Sequence, residues 1–190
     1  FEDTILKIRT TRKGQEAAMY GPLRDLFIQL LNYPAADVDI DVRGDDGRPD
    51  VTVRAPSGLL SLNGTPVKIP WIVVEAKDEP DCFKNTDSRE DIFLEKEKYI
   101  GTNTGWFVMV DPGVFIARQV GGRQVWDDIV IHLDDSLTPS VFVSKLSGLK
   151  AEVAGVSEQL RRFREGDFGL IAVEKLSPPP APASRTQQAK

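Results

Sequence analysis

The stretch WIVVEAKD, residues 71–78, has the composition of a strand inside a sheet, yet it ends in charged residues. Its unbroken apolar start is typical of a central strand that is covered on both faces. Because side chains alternate along a strand, Glu75 and Lys77 share one face, and Ala76 lies on the other. A carboxylate in such a place needs a partner or a metal ion. We therefore expect a central strand over residues 68–77 with a functional site at its end.

A second stretch, GRPDVTV at residues 47–53, carries an acid at the start of another predicted strand. If the two strands pair, Asp50 comes beside Glu75. Two carboxylates and the carbonyl of Ala76 form an all-oxygen site, which suits Mg²⁺ or Mn²⁺. Such a cation acidifies a bound water, and Lys77 is placed to orient that water and to stabilise charge at a phosphodiester. The pattern predicts a metal site that cleaves nucleic acid.

A simpler interpretation of the same residues stays open. Glu75 and Lys77 also fit a surface ion pair where the strand emerges from the sheet, and Asp50, which follows Pro49, fits an ordinary turn. A proline and an aspartate followed later by a glutamate and a lysine form a loose pattern that occurs by chance. The context favours the metal site, because each acid lies at a strand end and predicted helices precede and follow the strands.

Hydrophobic periodicity predicts helices and strands along the rest of the chain. An amphipathic stripe from Leu23 to Leu31 marks the first helix, and Thr138-Pro139 is a typical helix start. The predicted elements are, in chain order, a helix over about 14–32, strands at 38–42, 50–55 and 68–77, a helix from Ser88, strands at 106–110, 114–120 and 128–133, and a C-terminal helix to about 164. This order predicts an α/β fold with a mixed sheet.

Length and composition indicate one globular domain with a tail. The chain has 190 residues, and Pro, Ala, Ser and Gln dominate residues 177–190, so we expect a domain over 1–176 followed by a linker or tail. The net charge of −5 argues against a protein that coats nucleic acid by electrostatics alone. One Cys and one His exclude a Cys/His metal site. Without a membrane-length apolar stretch or a visible secretory signal, a cytoplasmic protein is expected.

Five stretches of the chain resemble nuclease sequences. They are QEAAMYGPLRDLFIQLL (15–31), GRPDVTV (47–53), WIVVEAKD (71–78), EKEKYI (95–100) and GWFVMVDPGVFIARQ (105–119). The motifs Pro49-Asp50 and Glu75-Ala76-Lys77 resemble the signature of the PD-(D/E)xK nuclease superfamily. Over residues 14–120 the chain is more narrowly similar to the nuclease module at the N-terminus of restriction-modification enzymes that are fused to an adenine-specific DNA methyltransferase.

The resemblance implies a restriction-endonuclease-like α-β-β-β-α-β core flanked by helices. It implies an endonuclease that hydrolyses DNA with Mg²⁺, for which Mn²⁺ can substitute, with Asp50, Glu75 and Lys77 as the catalytic set. DNA is the expected partner, together with a covalently linked methyltransferase or other domain beyond residue 190. In many members a glutamate of the first helix joins the metal ligands, and Glu16 matches it here. The alternative for this residue is a helix-start acid favoured by the helix dipole.

The helix after the lysine departs from the resemblance. Many relatives carry a glutamine there, four residues before a tyrosine, whereas Glu95 holds that place before Tyr99 in this chain. Exposed basic residues in this helix and near the C-terminus are candidates to contact DNA phosphates, namely Lys96, Lys98, Arg161 and Arg162. Such residues usually form a solvated helix face with no specific role, which is the alternative for all of them.

Two further functions stay open. A domain with the nuclease fold can bind DNA or hold an assembly together without catalysis, and the same fold can cut RNA or branched DNA. The joint presence of Asp50, Glu75 and Lys77 favours a nuclease over a silent domain, because a silent domain has no need of all three. A nuclease for RNA or branched DNA would carry the same three residues.

Overall fold

The computed structural model describes residues 1–41, 48–100, 104–120 and 128–154, without the side chains of residues 57–60. Its helices are α1 (Glu2–Arg9), α2 (Ala17–Gln29), α3 (Thr86–Lys96) and α4 (Pro139–Lys145). Its strands are β1 (Val38–Ile40), β2 (Val51–Leu60), β3 (Pro66–Ala76), β4 (Trp106–Val110), β5 (Val114–Gln119) and β6 (Ile129–His132). None of the described helices is long and apolar enough to cross a membrane.

The described strands form one sheet in the order β1-β2-β3-β4-β5-β6. β3 and β4 run parallel, and every other pair of neighbours is antiparallel. A parallel pair needs a long crossover connection, and α3 lies in the connection between β3 and β4. The predicted mixed sheet is therefore confirmed. The central place of β3 is confirmed as well, since its residues Trp71–Ala76 are all buried.

Helices cover both faces of this sheet. On one face, α1, α2 and α4 pack against apolar side chains that alternate along the strands, such as Val51, Val74 and Phe115. On the other face, Phe93 of α3 packs edge-on against Phe107 of β4, with 5.6 Å between the ring centres. Each face thus has its own apolar cluster, and the strand ends between the two helix layers are where polar side chains can gather.

The first predicted helix is shorter than the periodicity indicates. α2 begins at Ala17 rather than at residue 14, and it ends at Gln29. Three residues later Asn32 adopts a left-handed conformation with φ 61°, which a continuing helix does not allow. Pro22 lies inside α2, so the helix continues through it with the loss of one backbone hydrogen bond.

The helix after the central strand begins two residues earlier than predicted. α3 starts at Thr86 because the side chain of Asn85 accepts a hydrogen bond of 2.8 Å from the backbone N–H of Ser88. Apolar residues of this helix, including Ile92 and Phe93, pack toward the sheet.

The C-terminal helix starts as predicted and is interrupted after Lys145. The Thr138 side chain caps α4 by accepting a backbone hydrogen bond, and Pro139 occupies its first turn. The chain then passes into a 3₁₀ turn over Ser147–Leu149, and residues 151–154 are helical again. The end of the predicted helix at residue 164 and the tail at 177–190 lie outside the described residues.

Two features of the fold are not predicted from the sequence. α1 buries Ile5 and Ile8 in the core, but these two apolar residues lie in a charged segment whose periodicity is too short to indicate a helix. β2 and β3 also extend beyond the strands predicted at 50–55 and 68–77, to Leu60 and from Pro66, and form a long hairpin. The turn at its tip closes with a 2.8 Å hydrogen bond from the Ser61 N–H to the Thr65 carbonyl.

Candidate active site

Charged side chains from four parts of the fold meet where β3 ends. Asp50 directly precedes β2, Glu75 is the second-last residue of β3, and Lys77 follows that strand. Glu16 comes from the N-terminal end of α2, and Lys96 is the last residue of α3. Ligands of open α/β sheets bind beside the carboxyl ends of parallel strands, and β3 with β4 is such a pair. The structure thus brings together five residues that the sequence singles out.

Strand pairing explains how the acids come together. Val51 lies opposite Val74, and the backbone N–H of Asp50 donates a 3.1 Å hydrogen bond to the carbonyl of Val74. Val73 packs on the α3 side of the sheet. Glu75 lies two residues further along the same strand, so the side chain of Glu75 points to the same side. The pairing thus brings Asp50 to the end of β3 where Glu75 lies, as the sequence predicts.

The carboxylate of Asp50 is half-buried and held by two hydrogen bonds. Its Oδ2 accepts one from the backbone N–H of Ala76 over 2.7 Å, and its Oδ1 accepts one from the Tyr20 hydroxyl over 2.7 Å. Burial raises the pKa of Asp50 to about 6, and the charge of Glu75 adds to the rise while both hydrogen bonds oppose it. Asp50 therefore carries a desolvated negative charge near neutral pH.

Tyr20 connects two acids of the site, and the sequence does not single it out. Its hydroxyl lies 2.7 Å from Oδ1 of Asp50 and 3.0 Å from Oε1 of Glu16. A phenol has one hydrogen, so only one of these carboxylates can accept it at a time. A proton or a cation would satisfy the other. The signal that finds Tyr20 is its position four residues after Glu16, which places both side chains on the same side of α2.

Glu75 is only 3% exposed and is paired with two lysines. Its Oε1 accepts a 2.7 Å hydrogen bond from Nζ of Lys77 and lies 3.0 Å from Nζ of Lys96. Lys77 also lies 3.6 Å from Oε2 of Glu16, and Lys96 lies 3.3 Å from Oε1 of Glu95. The surface ion-pair interpretation is thus right about the contact between Glu75 and Lys77 but wrong about its location, since the carboxylate is buried.

The two lysines are held in their charged forms by this carboxylate. Burial lowers the pKa of Lys77, but the hydrogen bond and the charge of Glu75 outweigh it, so the pKa is raised. The same opposing causes raise the pKa of Lys96. The cost of burying Glu75 is therefore offset by ammonium groups in this structure.

The carboxylates do not surround a common point in this arrangement. Within the described ranges, no three His, Cys, Asp or Glu side chains are close enough together to hold a metal ion. Ammonium and hydroxyl groups lie between the carboxylates of Glu16, Asp50 and Glu75. The atoms that these side chains offer to a cation are nevertheless all oxygens, which suits Mg²⁺. The Tyr20 hydroxyl can donate to only one of Glu16 and Asp50, and the carboxylate left without this hydrogen bond favours an added positive charge. The donor set fits a divalent cation once an ammonium group makes way for it at Glu75.

Among the described candidates for DNA contact, Lys96 lies at this site. Lys98 is exposed, and its ammonium lies 4.8 Å from the centre of the Tyr99 ring. Arg161 and Arg162 belong to the part of the chain that the structure does not describe.

An ion-pair network holds α3, and with it Lys96, against the sheet. Arg118 of β5 is 4% exposed, and its guanidinium forms two hydrogen bonds with the carboxylate of Asp128, at 2.7 and 3.1 Å. The same guanidinium lies 2.9 Å from Oε1 of Glu90 and 5.0 Å from the centre of the Phe93 ring, both in α3. These partners are distant in sequence, so no local pattern indicates the network.

Replacing Asp50 with Asn is expected to stabilise the metal-free protein more at pH 7.5 than at pH 4. Folding raises the pKa of Asp50 from 3.8 to about 6, so the stability it contributes is present below pH 4 and is lost as the pH rises through 6. Asn does not titrate. After allowance for partial exposure, the stabilisation should differ between the two pH values by about 1–2 kcal/mol. Urea unfolding of the wild type and of Asp50→Asn in EDTA measures this difference. An equal gain in stability at pH 4 and pH 7.5 would contradict the raised pKa of Asp50.

No family model matches this chain, and no curated protein or solved structure matches it either. The geometry of the site and the motifs within it are therefore the basis on which a function is proposed.

Proposed function

We propose that this chain is a metal-dependent endonuclease domain that hydrolyses phosphodiester bonds in DNA, with Mg²⁺ as its cofactor and Mn²⁺ as a substitute. The observation that carries the proposal is the meeting of Asp50, Glu75 and Lys77 at the end of β3. The element order α2-β1-β2-β3-α3-β4 supports it, because this is the core order that the resemblance to PD-(D/E)xK nucleases implies.

The residues of the site have separate roles in this proposal. Oxygen atoms from four residues would hold the cation, namely Asp50, Glu75, Glu16 and the carbonyl of Ala76. When bound there, Mg²⁺ supplies an acidified water and offsets charge on a phosphoryl oxygen. Lys77 orients the attacking water and stabilises the negative charge that develops on the phosphate. Tyr20 donates its one hydroxyl hydrogen to Asp50 or to Glu16 and orients the carboxylate that accepts it.

The proposed setting of this domain is a larger restriction-modification protein. The similarity over residues 14–120 is to a nuclease module that precedes an adenine-specific DNA methyltransferase. Residues 177–190 have the composition of a linker, which is what such an arrangement requires after the nuclease domain. DNA is accordingly the proposed substrate and a covalently linked methyltransferase the proposed neighbour.

A catalytically silent DNA-binding or assembly domain is the second candidate. Two observations favour it. Two lysine ammonium groups already pair with Glu75, and no three His, Cys, Asp or Glu side chains among the described residues are close enough to hold a metal ion. A silent domain would keep Glu75 and its lysines as a structural ion-pair cluster. The two candidates differ in one property, which is metal-dependent cleavage.

The purified chain is expected to nick supercoiled plasmid DNA in Mg²⁺ or Mn²⁺ and to lose this activity in excess EDTA. Ca²⁺ should bind without supporting much turnover, because it polarises water less strongly than Mg²⁺ does. An assay on plasmid DNA, single-stranded RNA and a branched DNA junction in parallel distinguishes the possible substrates. Full activity in EDTA would exclude the metal mechanism, and no cleavage of any substrate would favour the silent domain.

A further inference from the structure

Lys96 occupies a position in the site that the proposed mechanism does not use. It is the last residue of α3, and it reaches the site from the helix, whereas Lys77 follows the strand directly. Its ammonium lies 3.0 Å from Oε1 of Glu75, the same oxygen that accepts the hydrogen bond from Lys77. A buried carboxylate therefore receives two ammonium groups on one oxygen atom, although one is enough to neutralise it.

The two lysines differ in how firmly the rest of the protein holds them. The backbone N–H of Lys77 donates a 2.8 Å hydrogen bond to the carbonyl of Val110, and its ammonium has a second acid, Glu16, at 3.6 Å. Lys96 lies at a helix end, and its second acid, Glu95, has a side chain that is 63% exposed. The ammonium of Lys96 is also farther from Oε1 of Glu75 than that of Lys77, at 3.0 Å against 2.7 Å, so we expect Lys96 to be the lysine that leaves when a cation binds.

The net charge of the cluster changes when a divalent cation binds. Four carboxylates (Glu16, Asp50, Glu75 and Glu95) and two ammonium groups (Lys77 and Lys96) leave two net negative charges, which repel a phosphodiester. A divalent cation cancels these two charges and removes the repulsion. The ammonium of Lys96, displaced from Glu75, then keeps only the exposed Glu95 and can pair with a phosphate.

We propose that Lys96 is a built-in counter-ion that neutralises Glu75 in the metal-free protein and transfers its ammonium to a phosphate of the nucleic acid when a divalent cation takes Glu75. The proposal rests on the proposed function of this site. It makes DNA binding depend on metal binding, because the ammonium becomes available to the phosphate only after the cation has replaced it at the carboxylate.

Titration calorimetry with Mn²⁺ in the absence of DNA tests the first half of the proposal. Lys96→Met removes the competing ammonium while keeping the length of the side chain, so Mn²⁺ should bind on the order of tenfold more tightly, the size expected for a charged hydrogen bond that no longer has to be broken. Lys96→Gln should shift the affinity in the same direction. Lys98→Met is the matched control on the neighbouring turn and should leave Mn²⁺ affinity unchanged.

Binding of a DNA duplex at several salt concentrations tests the second half. In Ca²⁺, which should allow binding without cleavage, the slope of log affinity against log salt should be smaller for Lys96→Met than for the wild type by about 0.9, the value for one lost phosphate contact. In EDTA the two slopes should be equal. If Lys98→Met changes the salt slope at all, the change should be the same in Ca²⁺ and in EDTA.

The outcomes separate this inference from the proposed function. Unchanged or weaker Mn²⁺ binding by Lys96→Met, or a salt slope that does not depend on Ca²⁺, would overturn the role of Lys96 while leaving a metal-dependent nuclease intact. Failure of the wild type to bind Mn²⁺ would overturn both.

Discussion

Replacing Glu75 with Gln is expected to abolish metal-dependent cleavage, with a loss of more than about 10³-fold in rate. Glu75 is the buried carboxylate of the site, and groups that merely support metal ligands already contribute about 10–100-fold. Gln keeps the shape of the side chain but cannot supply the negative charge that a divalent cation requires. Single-turnover nicking of plasmid DNA in saturating Mn²⁺ measures the loss.

The control for this variant must separate chemistry from folding. A neutral Gln at position 75 leaves Lys77 and Lys96 close together without their shared counter-ion, so some loss of stability is expected as well. Urea unfolding of the variant shows whether it is folded at the assay temperature. Glu95→Gln is the matched control, because Glu95 is exposed and also contacts Lys96. A Glu75→Gln protein that is folded and cuts at the wild-type rate would rule out Glu75 as a ligand.

Replacing Lys77 with Ala is expected to slow cleavage by about 10²–10³-fold, the usual effect of removing one group that stabilises transition-state charge. Mn²⁺ binding should survive, because all the proposed oxygen ligands remain. Lys77→Arg should restore little activity, since a planar guanidinium does not replace a compact ammonium. The rate assay is paired with Mn²⁺ titration calorimetry, so that a defect in chemistry is distinguished from a defect in metal binding.

Lys68 provides the matched control for this variant. It lies on the same strand, and its ammonium contacts the carboxylate of Asp37, at a distance from the strand end where Lys77 lies. Lys68→Ala should leave cleavage nearly unchanged. Wild-type cleavage by Lys77→Ala would instead exclude the proposed mechanism, and the silent DNA-binding domain would become the better description.

The sequence predicts the strands that build the site better than it predicts the contacts within it. Alternation along residues 68–77 places Glu75 and Lys77 on one face, and the structure joins their side chains at 2.7 Å. The buried run WIVV predicts a central strand, which β3 is. Both features depend on local periodicity, which a single chain displays directly.

The contacts that local periodicity cannot predict involve side chains from different elements. Tyr20 has the pattern of a core residue, and only the packing of α2 beside β2 turns its hydroxyl to Asp50. The stem of Lys96 lies on the apolar face that periodicity predicts for α3, but only the crossover of this helix brings its ammonium to Glu75. The direction of a helix across a sheet is a tertiary property, because it depends on how the two apolar faces pack.

The hairpin of β2 and β3 has a mechanical consequence for how this protein can vary. Val51, Thr52 and Val53 pair in unbroken register with Val74, Val73 and Ile72, whereas the register shifts between Val53 and Arg54 and again between Pro56 and Leu60. A slip of one residue at the site end would turn Glu75 to the opposite face of the sheet. The two irregular steps lie between that end and the tip at residues 61–65, so they can absorb an insertion or a deletion there. The tip of the hairpin can therefore vary in length, while the pairing next to Glu75 stays in the same register.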